Sequence, residues 1–177
     1  MMENTAIELS EKGKRAFQQD DFETAIQFFA DAAESYLGAD SFLDAAEAKN
    51  NLSVALLQAG KAKESLEAAQ KTDLVFEEAG DKLRQAMALG NQAAALDELG
   101  ATEEAIKLYR KSAQLFGEID ENDYQETVLK SIAAIELRKG KVQDTAFTML
   151  QSLQATEKPN IFQRFLKFIL RILPYGT

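Results

Sequence analysis

The chain has 177 residues, a formal net charge of −9, and neither Cys nor His. Disulfides, thiol nucleophiles, imidazole bases and Cys- or His-ligated metals are thereby excluded, and the 46% hydrophobic content suits one domain with a continuous core. Lys141, Lys158, Arg164, Lys167 and Arg171 oppose only Asp144 and Glu157 after residue 140, so that part carries +3 and the first 140 residues −12, an acidic body that repels a phosphate backbone and argues against nucleic acid as a partner.

The opening Met1-Met2-Glu3-Asn4-Thr5 has no basic n-region and no apolar h-region, so a cytoplasmic location is expected. The first pair of helices is predicted over 3–19 and 21–37, divided at Asp20. The second is clearest: over 44–59, Ala45, Ala48, Leu52, Ala55, Leu56 and Ala59 follow i, i+3, i+4, i+7 spacing, which makes one buried face. Gly60 supplies the turned backbone that ends it. The segment 61–79 then carries Leu66, Ala69, Leu74 and Phe76 on one side and stops at Gly80-Asp81. Pairs over 81–99 with 101–116, and 123–139 with 141–155, complete the series. Pro159 and Pro174 fall outside every segment, and nothing alternates like a strand.

These pairs return every 40 residues. Gly60, Gly100 and Gly140 share one slot with Asp20; small rows run Gly13, Ser53, Ala93, Ala133 and Ala25, Ser65, Ala105, Thr145. An aliphatic row passes through Ile26, Leu66, Ile106 and Ala146, and an aromatic row through Tyr36, Phe76 and Phe116. A fixed period of this length means stacked units, each closing its core against its neighbours. The small rows allow two antiparallel helices to approach closely.

Ala93, Leu96, Gly100, Ala105 and Tyr109 give a pattern that resembles the tetratricopeptide repeat family over residues 5–155. Its 40-residue period, with an Asn start carried by the first helix as Asn51-Leu52-Ser53 and Asn91-Gln92-Ala93, is similar to the variant in kinesin light chains and Pins-type scaffolds. The family's leading Trp is absent, and the outer repeats depart from the Asn start with Glu11-Lys12-Gly13 and Ser131-Ile132-Ala133. The resemblance implies an all-α, right-handed superhelix of helix-turn-helix repeats over about 3–37, 41–79, 81–117 and 122–155, making up a domain of residues 1–156. It further implies that the first helices line a concave surface that binds a protein or peptide. On that surface it places Lys14, Gln18, Asn51, Val54, Gln58, Asn91, Ala94, Glu98, Ser131 and Arg138. Asn is a mediocre helix former, so Asn51 and Asn91 either hold the backbone of an extended peptide or bond across to a neighbouring helix. Chaperone tails are not expected ligands, because Ser10, Lys14, Asn51, Met87 and Asn91 lack two of the cations that grip a terminal carboxylate.

No cofactor and no catalysis are expected. Glu77-Glu78, Glu103-Glu104 and Asp120-Glu121 sit at helix ends, where carboxylates face solvent or the helix dipole, and Gly60-Lys61 lacks the upstream glycine of a phosphate loop. After residue 157 a linker leads into an amphipathic helix over 161–173, IFQRFLKFILRIL. Phe162, Phe165 and Phe168 belong to its apolar side, while Arg164, Lys167 and Arg171 share a polar sector with Gln163. Thirteen residues span about 20 Å, too short to cross a bilayer. Three roles are open to it: capping the last repeat, lying on an anionic membrane, or packing as a self-ligand, either in a homodimer or in the chain's own groove.

Overall fold

A computed structural model describes residues 2–140 and 142–155. The described residues form nine helices: α1 (Met2–Gln18), α2 (Phe22–Gly38), α3 (Phe42–Gln58), α4 (Ala62–Ala69), α5 (Thr72–Glu78), α6 (Lys82–Glu98), α7 (Thr102–Glu118), α8 (Asn122–Arg138) and α9 (Val142–Ala155). There is no strand among them. Apart from α4 and α5, which each pack against α3 and α6, every described helix packs on its neighbour in sequence, and the first helices α3 and α6 of successive pairs also touch. The result is the stacked all-α array expected from the 40-residue rows.

The underlying module is half that long. Asp20, Asp40, Gly60, Gly80, Gly100, Asp120 and Gly140 all adopt positive φ, between 56° and 78°. A left-handed residue therefore closes every helix-turn unit of 20 residues, between repeats as well as within them. At six of the seven corners the N–H that follows it donates back to the carbonyl five residues earlier, as from Asp21 to Ala16 (3.0 Å) and from Lys61 to Leu56 (2.9 Å), the Schellman closure. Only Gly, Asn and Asp take this conformation at low cost. A Cβ on Gly100 would meet nothing within 4 Å, so the penalty for Gly100→Ala is purely conformational. We expect about 1–2 kcal/mol, read as a shift of the urea midpoint, and a smaller loss for Gly100→Asn.

One predicted element is corrected. The segment 61–79 is two helices, because Lys71 turns left-handed (φ 67°) between α4 and α5. The Ala69 carbonyl, which in a continuous helix would accept from the Asp73 N–H, is bound by the Thr72 hydroxyl (2.8 Å) and by the Gln92 amide (3.1 Å). Gln92 also donates to the Asp73 carboxylate (2.8 Å). Side-chain competition of this kind is the usual way Thr and Asp interrupt a helix. At two other turns aspartate caps the helix that follows: Asp81 accepts from the Arg84 N–H at 2.9 Å and Asp21 from that of Thr24 at 3.2 Å.

The small rows meet inside each pair. Ser53 and Ser65 have no exposed surface; their hydroxyl oxygens lie 3.0 Å apart, and Ser65 also donates to the Ser53 carbonyl at 2.8 Å. Ala93 and Ala105 are likewise fully buried. Tyr36, Phe76 and Phe116 are buried where the sequence put its aromatic row. The core is a series of local clusters, from Ala6, Ala33 and Tyr36 at one end to Ile106, Phe116 and Ile132 at the other.

Candidate binding groove

The first helices α1, α3, α6 and α8 share one face, and polar side chains tie neighbours together at a spacing close to one repeat. Arg84 of α6 donates to Glu47 of α3 at 2.9 Å. Arg138 of α8 reaches both carboxylate oxygens of Asp97 on α6, at 2.5 and 2.8 Å. The amide of Asn91 donates to Asn50 across α3 and α6 at 2.9 Å, and Asn50 is buried. Burial works against the charge on Arg84, but its hydrogen bonds to Asp81 and Glu47 outweigh it, so its pKa rises above the ordinary guanidinium value.

Of the ten side chains predicted for this face, four come together. Lys14, Gln18, Asn51 and Val54 line a hollow of about 200 Å³ between α1 and α3, with the rings of Phe17 and Phe29. Lys14 and Asn51 also line an adjoining hollow of about 150 Å³, whose other walls include Glu11, Tyr36, Asp44 and Glu47. Three carboxylates thus surround one lysine. Its hydrogen bond to Glu11 (3.0 Å) is the main cause of a raised Lys14 pKa, opposed by partial burial and aided by Glu47.

The other six are more dispersed. Gln58 and Glu98 are exposed and Ala94 is half-buried. Arg138 is engaged by Asp97 and Asn91 by Asn50. Ser131 donates to the Thr127 carbonyl (3.3 Å) and bonds the Tyr109 hydroxyl, whose pKa is raised chiefly by burial. Phe162, Arg164, Phe165, Lys167, Phe168 and Arg171 lie outside the described residues.

Sequence reasoning missed Phe17 and Phe29 as walls of the first hollow; the only signal for Phe29 was the glycine at position 13 of the small row, against which its ring packs. A larger hollow, about 530 Å³, opens between the second helices α7 and α9 over Leu129 and Ile132. Its charged and hydroxyl groups are already satisfied: the buried Glu136 carboxylate accepts from Thr148 (2.7 Å) and Arg110 (3.3 Å). Among the described residues no acidic cluster could hold a metal ion.

No family model and no curated protein matches the sequence. Among solved structures, the chain is similar to a Podosopora anserina protein named as a kinesin light chain, built of nearly identical TPR-like repeats, with a TM-score of 0.77 at 12% identity over 97% of this chain and 84% of that one. A second structure of that repeat protein gives 0.76 at 12% identity, covering 96% and 86%. The likeness is one of fold: the chain is a stack of TPR-like repeats.

Proposed function

We propose that the protein is a non-catalytic scaffold that holds an extended peptide of a partner protein against the face of α1, α3, α6 and α8, anchored between α1 and α3. The observation that supports this is the convergence of Lys14, Gln18, Asn51 and Val54 with two phenylalanine rings around paired hollows. The apolar floor suits one hydrophobic side chain of the peptide. Asn51 offers one amide donor group and one acceptor, the pair needed by a peptide unit in an extended strand. The rim of Glu11, Asp44 and Glu47 favours a basic residue alongside.

The two asparagines divide on this reading. Asn51→Ala is expected to weaken a peptide selected from a random display library by about 1–3 kcal/mol, with no change in the melting curve. Asn91→Ala is expected to act on the fold instead, at about 1–3 kcal/mol, by leaving the buried Asn50 carbonyl without its donor. Titration calorimetry and thermal melts on both variants separate the effects. Unchanged affinity in Asn51→Ala would reject the groove.

A further inference from the structure

Tyr36, Phe76 and Phe116 form one row of rings, and Asp44, Arg84 and Tyr124 form a row in the first turn of α3, α6 and α8. In two of the three intervals the second row lies over the first. The Arg84 guanidinium sits 5.3 Å from the centre of the Phe76 ring, and Tyr124 stacks on Phe116 with ring centres 5.2 Å apart. At Tyr36 the corresponding residue is Asp44, an exposed carboxylate, which the negative face of an aromatic ring repels.

The same interval lacks a second closure. Asn91 of α6 reaches Asn50 of α3 at 2.9 Å, and forty residues earlier these positions are Asn51 and Ser10. Serine is too short to make that bridge. Ser10 is 9% exposed and Tyr36 8%, and neither hydroxyl has a hydrogen-bond partner among the described residues. No fully enclosed polar side-chain atom among them lacks a partner, so both oxygens open onto accessible space. The space that both residues line is the hollow of about 150 Å³ between α1 and α3. The Tyr36 hydroxyl is also within electrostatic reach of the Lys14 ammonium on its wall.

Two buried hydroxyls thus face into a hollow walled by Glu11, Asp44 and Glu47. Glu11 is bonded to Lys14 and Glu47 to Arg84, whereas Asp44 has no partner among the described residues. A guanidinium matches this set. It is flat, so it lies on a ring as Arg84 does on Phe76, and its five N–H groups answer several acceptors at once. An ammonium has three donors and no plane.

We infer that the hollow between α1 and α3 receives an arginine side chain of the bound peptide, its guanidinium against Tyr36 and bonded to Asp44 and the Ser10 hydroxyl. This rests on the peptide groove proposed above and gives its partner a stated chemistry. Lys14 and Asn51 line both hollows, so the arginine and the apolar anchor enter side by side. Side chains two residues apart in an extended strand have that relation. The recognised pair is an arginine and a large apolar residue with one residue between them.

Peptides selected from a random display library on the full chain should carry this pair at fixed spacing, and replacing the arginine by lysine should weaken them about tenfold. Asp44→Arg places the cation of the next interval in the wall of the hollow. It should abolish selection of arginine, keep selection of the apolar residue and leave the melting curve unchanged. Tyr36→Phe installs the ring of the other two intervals and should weaken an arginine peptide about threefold. N-acetyl-arginine amide, titrated into the isotope-labelled chain, separates this inference from the groove: it should shift the amides of residues 7–14 and 44–51 more than N-acetyl-lysine amide does. Selected peptides without arginine, or with an arginine that lysine replaces without loss, would overturn the inference and leave the groove standing. Shifts from the arginine amide with no peptide selected would reject the groove and keep the guanidinium site. No selected peptide and no shift would overturn both.

Discussion

Gly13→Ser is expected to destabilise the protein by about 1–3 kcal/mol, the range for overpacking a close helix contact, despite the gain of replacing glycine within a helix. A Cβ at Gly13 would lie 2.7 Å from two atoms of the Phe29 ring. Phe29→Ala alone removes a ring that is 3% exposed, and should cost about 3–5 kcal/mol through loss of burial and the cavity left behind. The second repeat solves the same problem with Ser53 and Ala69 at the equivalent positions, both fully buried. Installing that solution in the first repeat, as the double variant, should therefore cost less than the two single changes added, by about 1–3 kcal/mol of coupling. Urea titrations with unchanged slope measure all three. Strict additivity would mean that the ring moves aside freely, and that the two rows do not constrain each other.

Phe76→Ala is expected to cost about 3–5 kcal/mol. The ring is wholly buried against Ala46 of α3 and Ala88 of α6, with the Arg84 guanidinium 5.3 Å from its centre. Its helix, α5, has only seven residues, far below the length at which a helix holds itself together in water. Phe76 therefore fastens α5 between the two first helices, and its loss should release the α5 segment before the rest of the array. Hydrogen exchange on the variant should show protection falling first over 72–78, whereas Phe76→Leu should keep most of it. Uniform loss along the chain would show that the stack unfolds as one unit.

The fold was legible because stacking demands the same side chain at the same place in each unit. Gly13, Ser53, Ala93 and Ala133 read as a contact row from their spacing alone, and they are buried as a row. What remained illegible depends on contacts between rows. The interruption at Lys71 arises from Gln92, nineteen residues beyond Asp73, competing for the Ala69 carbonyl, and no local pattern announces a partner at that distance. The groove shows the same division. Repeat spacing placed Asn51 and Asn91 at equivalent positions, but the identity of their neighbours separates them: Asn91 is bound to Asn50, while Asn51 lines two hollows beside Lys14. Equivalent positions specify a backbone location. Chemistry is then decided by whichever side chain the adjacent unit happens to offer.

Each described corner between the 20-residue units places one Asp or Gly in the same left-handed conformation, and the closure that follows is the same at each of the six described in full. A corner therefore carries no mark of which repeat it joins. Loss or duplication of forty residues could be spliced at any of them without inventing a new loop, and the surviving first helices would keep their spacing. Such a chain is free to change its reach over generations while preserving the pitch at which it meets another molecule.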